Sequence, residues 1–213
     1  MRVRRLVTNP YQENTYLLFG NNGSAWVIDP GIYTEGERRA FESVLSAEKA
    51  RLEAVYLTHA HIDHILGLRW ITSKYGVPVY YHESEEVVYQ NASTWAALMG
   101  LHYEAGPPAE EYISENSTLF LDGELAQVLY IPGHSPGHIG FYFPNARKVF
   151  SGDVLFRGSI GNYELPLADY RTLMSSIWEK LMTLPDDTEV WPGHGEPTFI
   201  GYERETNAFL QHT

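Results

Sequence analysis

Four short apolar runs in this chain each end in residues that can grip a metal ion, and that pattern limits the fold more than any other feature. "LEAVYL" leads to His59, His61, Asp63 and His64; "AQVLYIP" leads to His134; "KVFSG" ends at Asp153; and "TEVWPG" ends at His194. Short runs rich in β-branched and aromatic residues, bounded by Gly and Pro, read as strands. Groups of this kind at several strand ends require a sheet scaffold that gathers those ends along one edge, with the loops held by rigid structure beneath. Glycines flank three of the four groups, which lets backbone approach closely.

The rest of the chain supports such a scaffold. "RVRRLVT" alternates, "NTYLLF" is apolar, "GNNG" is a turn signal, and "SAWVID" is a strand ending at Asp29-Pro30-Gly31. "TEGERRAFESVLSAEKA" sets Phe41, Val44 and Leu45 at helical spacing. A second helix carrying Ile65, Leu66, Trp70 and Ile71 follows the His-rich loop, and "VPVYYH" is a strand. The stretch 83–116 is less regular and contains a helix at "STWAALMGL" and a break at 106–108. In the second half, "TLFL", "AQVLYIP", "IGFYFP" and "KVFSGD" are strands. The segment 168–185 is an amphipathic helix with Tyr170, Leu173, Met174, Ile177 and Leu181 on one face. "TEVWPGHG" supplies a last strand and loop, and "GYERETNAFLQ" a terminal helix. Strands precede helices in both halves, with no Ser/Gly linker between. The expectation is one domain over 1–213 with two related halves, its two sheets covered by helices on both outer faces.

Charge and composition narrow the function classes. Fifteen Lys and Arg against 27 Asp and Glu give a formal charge of −12. Such a surface repels phosphate backbones, and beyond Arg2, Arg4 and Arg5 there is no basic cluster, so nucleic acid is not an expected partner. No run of 18 apolar residues marks a membrane span. The N-terminal residues lack the apolar core of a signal peptide, which points to the cytoplasm. Cysteine is absent, so there are no disulfides and no thiolate ligands.

The ligand spacing carries the chemistry. In an extended segment, side chains two apart point the same way, so His59 and His61 can hold one cation. Asp63 and His64 follow once the chain turns into a helix and face elsewhere. Two adjacent metals therefore suit the run better than one. His134 would complete a site with His59 and His61; Asp63, His64 and His194 would form a second; and Asp153 could bridge them through its two oxygens. Nitrogen and oxygen donors suit zinc, iron or manganese. A single His in "GHG" says little, but four ligand-type residues in six positions rarely arise for packing. His138 is expected either to support the ligand residues or to be structural, and His82, His102 and His212 to lie on the surface. Trp95, Met99, Leu101 and Tyr103 could wall the site, although core packing is the commoner role for such a stripe and is the expectation.

"THAHIDH" followed in order by "PGH", "SGD" and "PGHG" resembles the metallo-β-lactamase superfamily, from about residue 5 to the C-terminal helix. The resemblance implies an α+β fold, a four-layer αβ/βα sandwich with metals at one edge between the sheets. "VIDPG" at 27–31 also matches and implies that Asp29 orients a ligand imidazole, although an Asp before Pro is also a plain turn former. "SGDVLFRGSIGNYELP" and "PGHSPGHIGFY" are most similar to glyoxalase II-type hydrolases of the short bacterial kind, the hydroxyacylglutathione hydrolase-like proteins, which act on thioesters such as S-lactoylglutathione. That implies a small-molecule thioester substrate and two divalent ions, zinc first, with iron or manganese as alternatives. Two such ions can share one water and bring its pKa towards neutrality, giving a bridging hydroxide as nucleophile, and Asp63 would orient it.

The chain departs from that pattern in two places. The helical region that classical glyoxalase II carries at its C-terminus is not expected. Where the resembling proteins often have a basic residue after Gly, this chain has Gly161-Asn162-Tyr163-Glu164, and neither Asn162 nor Glu164 can pair with a glutathione carboxylate. Arg157 is a candidate substitute. A persulfide dioxygenase shares much of the pattern and would use a single iron on His59, His134 and Asp153. An exported β-lactamase is disfavoured by the missing leader, and a non-catalytic metal-holding module by the presence of all seven ligand-type residues.

Overall fold

A computed structural model describes residues 1–211. In chain order the strands are β1 (Arg2–Thr8), β2 (Glu13–Phe19), β3 (Ser24–Ile28), β4 (Arg51–Tyr56), β5 (Val79–Tyr81), β6 (Glu111–Tyr112), β7 (Thr118–Leu121), β8 (Glu124–Tyr130), β9 (Ile139–Phe143), β10 (Lys148–Gly152), β11 (Leu155–Phe156), β12 (Ser159–Ile160), β13 (Glu189–Pro192) and β14 (Thr198–Phe199). The helices are α1 (Glu35–Ala47), α2 (Ile62–Ile65), α3 (Leu68–Tyr75), α4 (Glu86–Gln90), α5 (Ala92–Leu98), α6 (Tyr170–Ser176) and α7 (Ile200–Thr206).

The strands pair into two six-stranded sheets, ordered β1-β2-β3-β4-β5-β6 and β14-β13-β10-β9-β8-β7, with β11 and β12 as a separate hairpin. Both sheets repeat one connection pattern. β1, β2 and β3 are antiparallel neighbours, and α1 then carries the chain over to β4, parallel to β3. β8, β9 and β10 are likewise antiparallel, and the segment containing α6 carries the chain over to β13, parallel to β10.

Period-two alternation explains the layering. On β2, Tyr16 and Leu18 face the second sheet and pack with Trp26, Phe141, Phe143 and Phe150. Leu17 and Phe19 face outward onto Phe41 and Leu45 of α1 and Ile65, Leu68 and Ile71 of α2–α3. Tyr142 and Val149 lie on the far side of the second sheet, under Leu173, Met174, Ile177 and Leu181. A strand buried on both faces reads as an unbroken apolar run, which is why "TYLLF" and "IGFYF" lack polar alternation. Each such side chain contributes roughly 1.5–3 kcal/mol through burial. The result is the four-layer αβ/βα sandwich.

Three local expectations are corrected. The helix expected over 168–185 is α6 followed by a π-helical turn, Ile177–Leu181, where the Met182 N–H donates to the Ile177 carbonyl at 2.8 Å. Tyr170 is not on its packed face: it is exposed and stands edge-on to Tyr163, ring centroids 4.8 Å apart. β6, β11, β12 and β14 have two residues each, too few to show a period. Arg2 and Arg4 pair with Glu48, and Arg5 with Glu196. Among the described residues, no helix is long and apolar enough to cross a membrane.

Candidate metal centre

The C-terminal ends of β3, β4, β10 and β13 open onto one edge of the sandwich, and the loop after β8 reaches the same place. At the end of β3 the chain turns sharply, with Asp29 at φ 50°. Its carboxylate accepts the Thr58 N–H at 2.7 Å, the Thr58 hydroxyl at 2.6 Å and the His64 Nδ1–H at 3.1 Å. β4 runs out through His59, and His61 is still extended (φ −63°, ψ 149°) at the start of α2. Asp63 and His64 then lie within the helical turn. The change of direction between the two pairs arises within this one segment.

The seven residues nominated from sequence converge. The donor atoms of His59, His61 and His134 lie within 4.8 Å of one another, as do those of Asp63, His64 and His194. Asp153 sits between the two groups. One of its oxygens is 3.5 Å from His64 Nε2, and the other is 3.6 Å from His134 Nε2 and 3.5 Å from His194 Nε2. Donor atoms of Asp29, His59 and His64 also lie within 4.8 Å of one another. However, the Asp29 carboxylate is already engaged with Thr58 and the far nitrogen of His64.

Hydrogen bonds to the outer ring nitrogens fix how these imidazoles present themselves. Nδ1 of His59 meets the Thr58 hydroxyl at 3.0 Å, that of His64 meets Asp29, that of His134 the Asn162 carbonyl at 2.8 Å, and that of His194 the Tyr11 carbonyl at 3.1 Å. With Nδ1 donating in each, Nε2 carries a lone pair turned inward. His61 is reversed and brings Nδ1 to 2.9 Å from His134 Nε2.

Three buried atoms in the cluster, His59 Nε2, His64 Nε2 and Asp153 Oδ1, have no hydrogen-bond partner. Leaving such atoms unmatched costs about 1–3 kcal/mol each, so their gathering at one point needs a cause. Imidazole lone pairs and carboxylate oxygens converging this way fit divalent cations.

The electrostatics agree. Burial holds His59, His61 and His134 in the neutral form, pushing His61 down to about 3. Burial also opposes charge on His64, but the carboxylates of Asp153 and Asp63 outweigh it and raise its pKa. His194 is raised against burial by its bond to Asp63, 3.2 Å away. Burial works against the Asp153 charge too, yet His64 and the neighbouring imidazoles hold its carboxyl below the usual carboxylate range. The protons drawn to His64 and His194 mark where this pair of carboxylates demands positive charge, and metal ions meet that demand by displacing protons.

Several supporting residues were not visible in the sequence. Glu85, fully buried just after β5, accepts the Ala60 N–H at 2.8 Å and the Gly137 N–H at 2.7 Å, and also takes the Ser135 hydroxyl. It thereby ties the His59–His61 loop to the His134 loop. Glu13, also fully buried, accepts the hydroxyls of Thr8 at 2.7 Å and Thr15 at 2.9 Å, and burial raises its pKa. Asn14 holds the His194 loop by donating to the Pro192 and Gly195 carbonyls at 3.0 and 2.8 Å. His138 stacks on His59, centroids 4.7 Å apart, and accepts the Asp153 N–H at 3.1 Å. His102 is exposed, whereas His82 is half-buried against Tyr130, centroids 4.6 Å apart, rather than free on the surface. His212 lies outside the described residues.

A methyl group at Gly193 would overlap Asp153 Oδ1 and come within 2.7 Å of His64 Cε1. Gly193→Ala is therefore expected to displace the carboxylate between the two groups, costing about 2 kcal/mol and lowering metal content. Thermal unfolding and elemental analysis check this; wild-type values in both would mean that the loop yields at no cost.

A cleft of about 430 Å³ opens above the cluster, floored by His61, Asp63, His134 and Asp153. Its walls correct the expectation that the aromatic stripe belongs to the core. α5 buries Ala92 and Ala96, while its Trp95 and Leu98 and the following Met99 line the cleft. Leu101 and Tyr103 do pack against the core. Asn162 lines the cleft, while its carbonyl holds His134. Arg157 does not line it; it is exposed, 5.9 Å over the Tyr202 ring.

The family model described as the Metallo-beta-lactamase superfamily matches residues 8–194. The chain is 34% identical to hydroxyacylglutathione hydrolase GloC of Haemophilus influenzae, over 99% of this chain and 98% of the relative. Among solved structures, it is similar to TTHA1623, determined in a di-iron-bound form (TM-score 0.87, 39% identity, 97% of this chain and all of that one). It is also similar to the BLEG-1 B3 metallo-beta-lactamase (TM-score 0.90, 32% identity, 99% of this chain and all of that one).

Proposed function

Because the chain belongs to the metallo-beta-lactamase superfamily and is a metallo-hydrolase of it, we propose that it hydrolyses a small-molecule thioester at a binuclear centre. In this reading His59, His61 and His134 would hold one ion and Asp63, His64 and His194 the other, with the Asp153 carboxylate between the two groups available to both. The observation that carries it is the pair of complete donor groups on either side of one carboxylate. A single iron on His59, His134 and Asp153 would leave Asp63, His64 and His194 without a task. Zinc fits the nitrogen and oxygen donors, and the di-iron relative makes iron the competing metal. The thioester is supported by the name of the Haemophilus influenzae relative.

Divalent ions bound there would supply an acidified water and positive charge for the developing oxyanion. The protein's own groups do the rest. Asp63 lines the cleft beside His194 and can accept a hydrogen bond from the attacking water, turning its lone pair to the carbonyl carbon. The chain has no cysteine to serve as a thiolate nucleophile, and in this reading the attack is made by water. The C–S bond then breaks, the thiol leaves with a proton, and the acyl part departs as a carboxylate.

Metal analysis of purified protein, combined with a thioester panel, tests this. Two ions per chain are expected, with turnover that a chelator removes and added metal restores. One iron per chain, oxygen uptake and no hydrolysis would overturn it in favour of the dioxygenase. Turnover of a β-lactam alone would move the assignment to lactamase.

A further inference from the structure

The cleft's walls say which thioesters it favours. None of its lining residues is Lys or Arg, and its charged side chains other than histidine are Asp63 and Asp153. A thiol bearing carboxylates, as glutathione does, would find no cation to pair with. The walls are instead mostly apolar, with Asn91, Thr94 and Asn162 as neutral polar side chains among them. Of the twelve large apolar side chains exposed among the described residues, five (Tyr11, Val87, Leu98, Met99 and Leu167) line this one cleft, with Leu98 73% and Leu167 59% exposed. Exposed apolar side chains gathered at a single concave site mark a binding surface.

Leu167 adds a second, independent sign. The Ala168 N–H donates to the Leu165 carbonyl at 3.0 Å, with Pro166 and Leu167 as the central residues and Leu167 at φ 69°. That is a turn whose third position favours Gly or Asn, because a Cβ is strained there. A leucine that is both strained and largely exposed does little for folding. What it supplies is a side chain on the wall of the cleft that Trp95, Leu98 and Met99 also line.

We infer that the cleft selects thioesters whose flanking group is uncharged and apolar, with Leu98, Met99, Leu165 and Leu167 as the residues that set this preference. The inference rests on the thioester reading and adds the substrate class to it. The apolar group can sit on the acyl or on the thiol side of the reacting carbonyl, and the test separates the two.

Steady-state kinetics of the metal-loaded enzyme would use two neutral series and one anionic comparator. The first lengthens the acyl chain on N-acetylcysteamine, the second lengthens the alkyl chain of a neutral thiol carrying acetyl, and the comparator is S-lactoylglutathione. In one series kcat/KM should rise about fourfold per added methylene and exceed the comparator by roughly tenfold or more. The series that rises identifies the side that meets the wall. Flat responses in both, or a preference for S-lactoylglutathione, would overturn the inference while leaving thioester hydrolysis intact. No turnover of any thioester by protein holding two metals would instead overturn the proposed function, and the inference with it.

Leu167→Gly supplies a readout that a structural role would not move. It should flatten the chain-length slope while the melting temperature holds or rises, since Gly relieves the turn. An equal loss on all substrates, or a changed oligomeric state with unchanged selectivity, would mean that the rim packs against protein and would count against the inference. Leu98→Lys, on the exposed face of α5, should shift preference towards S-lactoylglutathione by roughly tenfold through one new ion pair; no shift would also count against it.

Discussion

Asp153→Asn is expected to lower hydrolysis by on the order of 10³-fold or more and to leave the purified protein deficient in metal, while the sandwich still forms. The substitution keeps the side chain's volume but removes the charge, and offers one oxygen where two served. Both oxygens matter, since one lies 3.5 Å from His64 Nε2 and the other 3.6 Å from His134 Nε2. With the carboxylate gone, His64 also loses the main influence that raises its pKa, and burial alone would favour its neutral form. Elemental analysis, kcat/KM on the best thioester and far-UV circular dichroism measure the three parts. A folded variant with two metals and near-normal turnover would end the bridging assignment.

Glu85→Ala should have the largest effect on stability, about 4 kcal/mol. It leaves the Ala60 and Gly137 N–H groups and the Ser135 hydroxyl without their acceptor inside the protein. Because those donors belong to the two loops that carry His59, His61 and His134, metal affinity should fall as well, by roughly 10–100-fold. Glu85→Gln makes the useful contrast. Its carbonyl can replace Oε1 for Gly137 and Ser135, but its amide turns a donor towards the Ala60 N–H, so about half of the loss is expected. Denaturant unfolding of both variants, with and without added metal, gives the numbers. Two equally stable variants would show that the buried carboxylate is not what joins the loops.

The difference between these residues explains what could be read in advance. His59, His61, Asp63 and His64 declare themselves because their geometry is local: two residues of extended chain, then the first turn of α2. His134, Asp153 and His194 are legible because each follows an apolar run. Glu85 is not, since its partners lie 25, 50 and 52 residues away and an acidic run such as "ESEE" looks like solvated surface. The two sheets and their helical layers were similarly plain, because doubly buried strands leave continuous apolar runs. The fate of the Trp95 stripe was not. Hydrophobicity predicts burial, and only the packing shows that α5 buries Ala92 and Ala96 and turns its large side chains to the cleft. The π turn at 177–181 preserves the apolar face that a regular helix would show, so no pattern distinguished it.

The repeated connection pattern of the two sheets carries one more consequence. One half contributes His59, His61, Asp63 and His64, and the other contributes His134, Asp153 and His194. No half-built chain can assemble the whole set, and a nascent chain emerging from synthesis lacks its last member until β13 is in place. On the binuclear reading proposed above, hydrolytic power would be withheld until folding is nearly complete, and metal uptake would report that the fold has closed. A misfolded or truncated copy carries scattered histidines, not a loose catalyst.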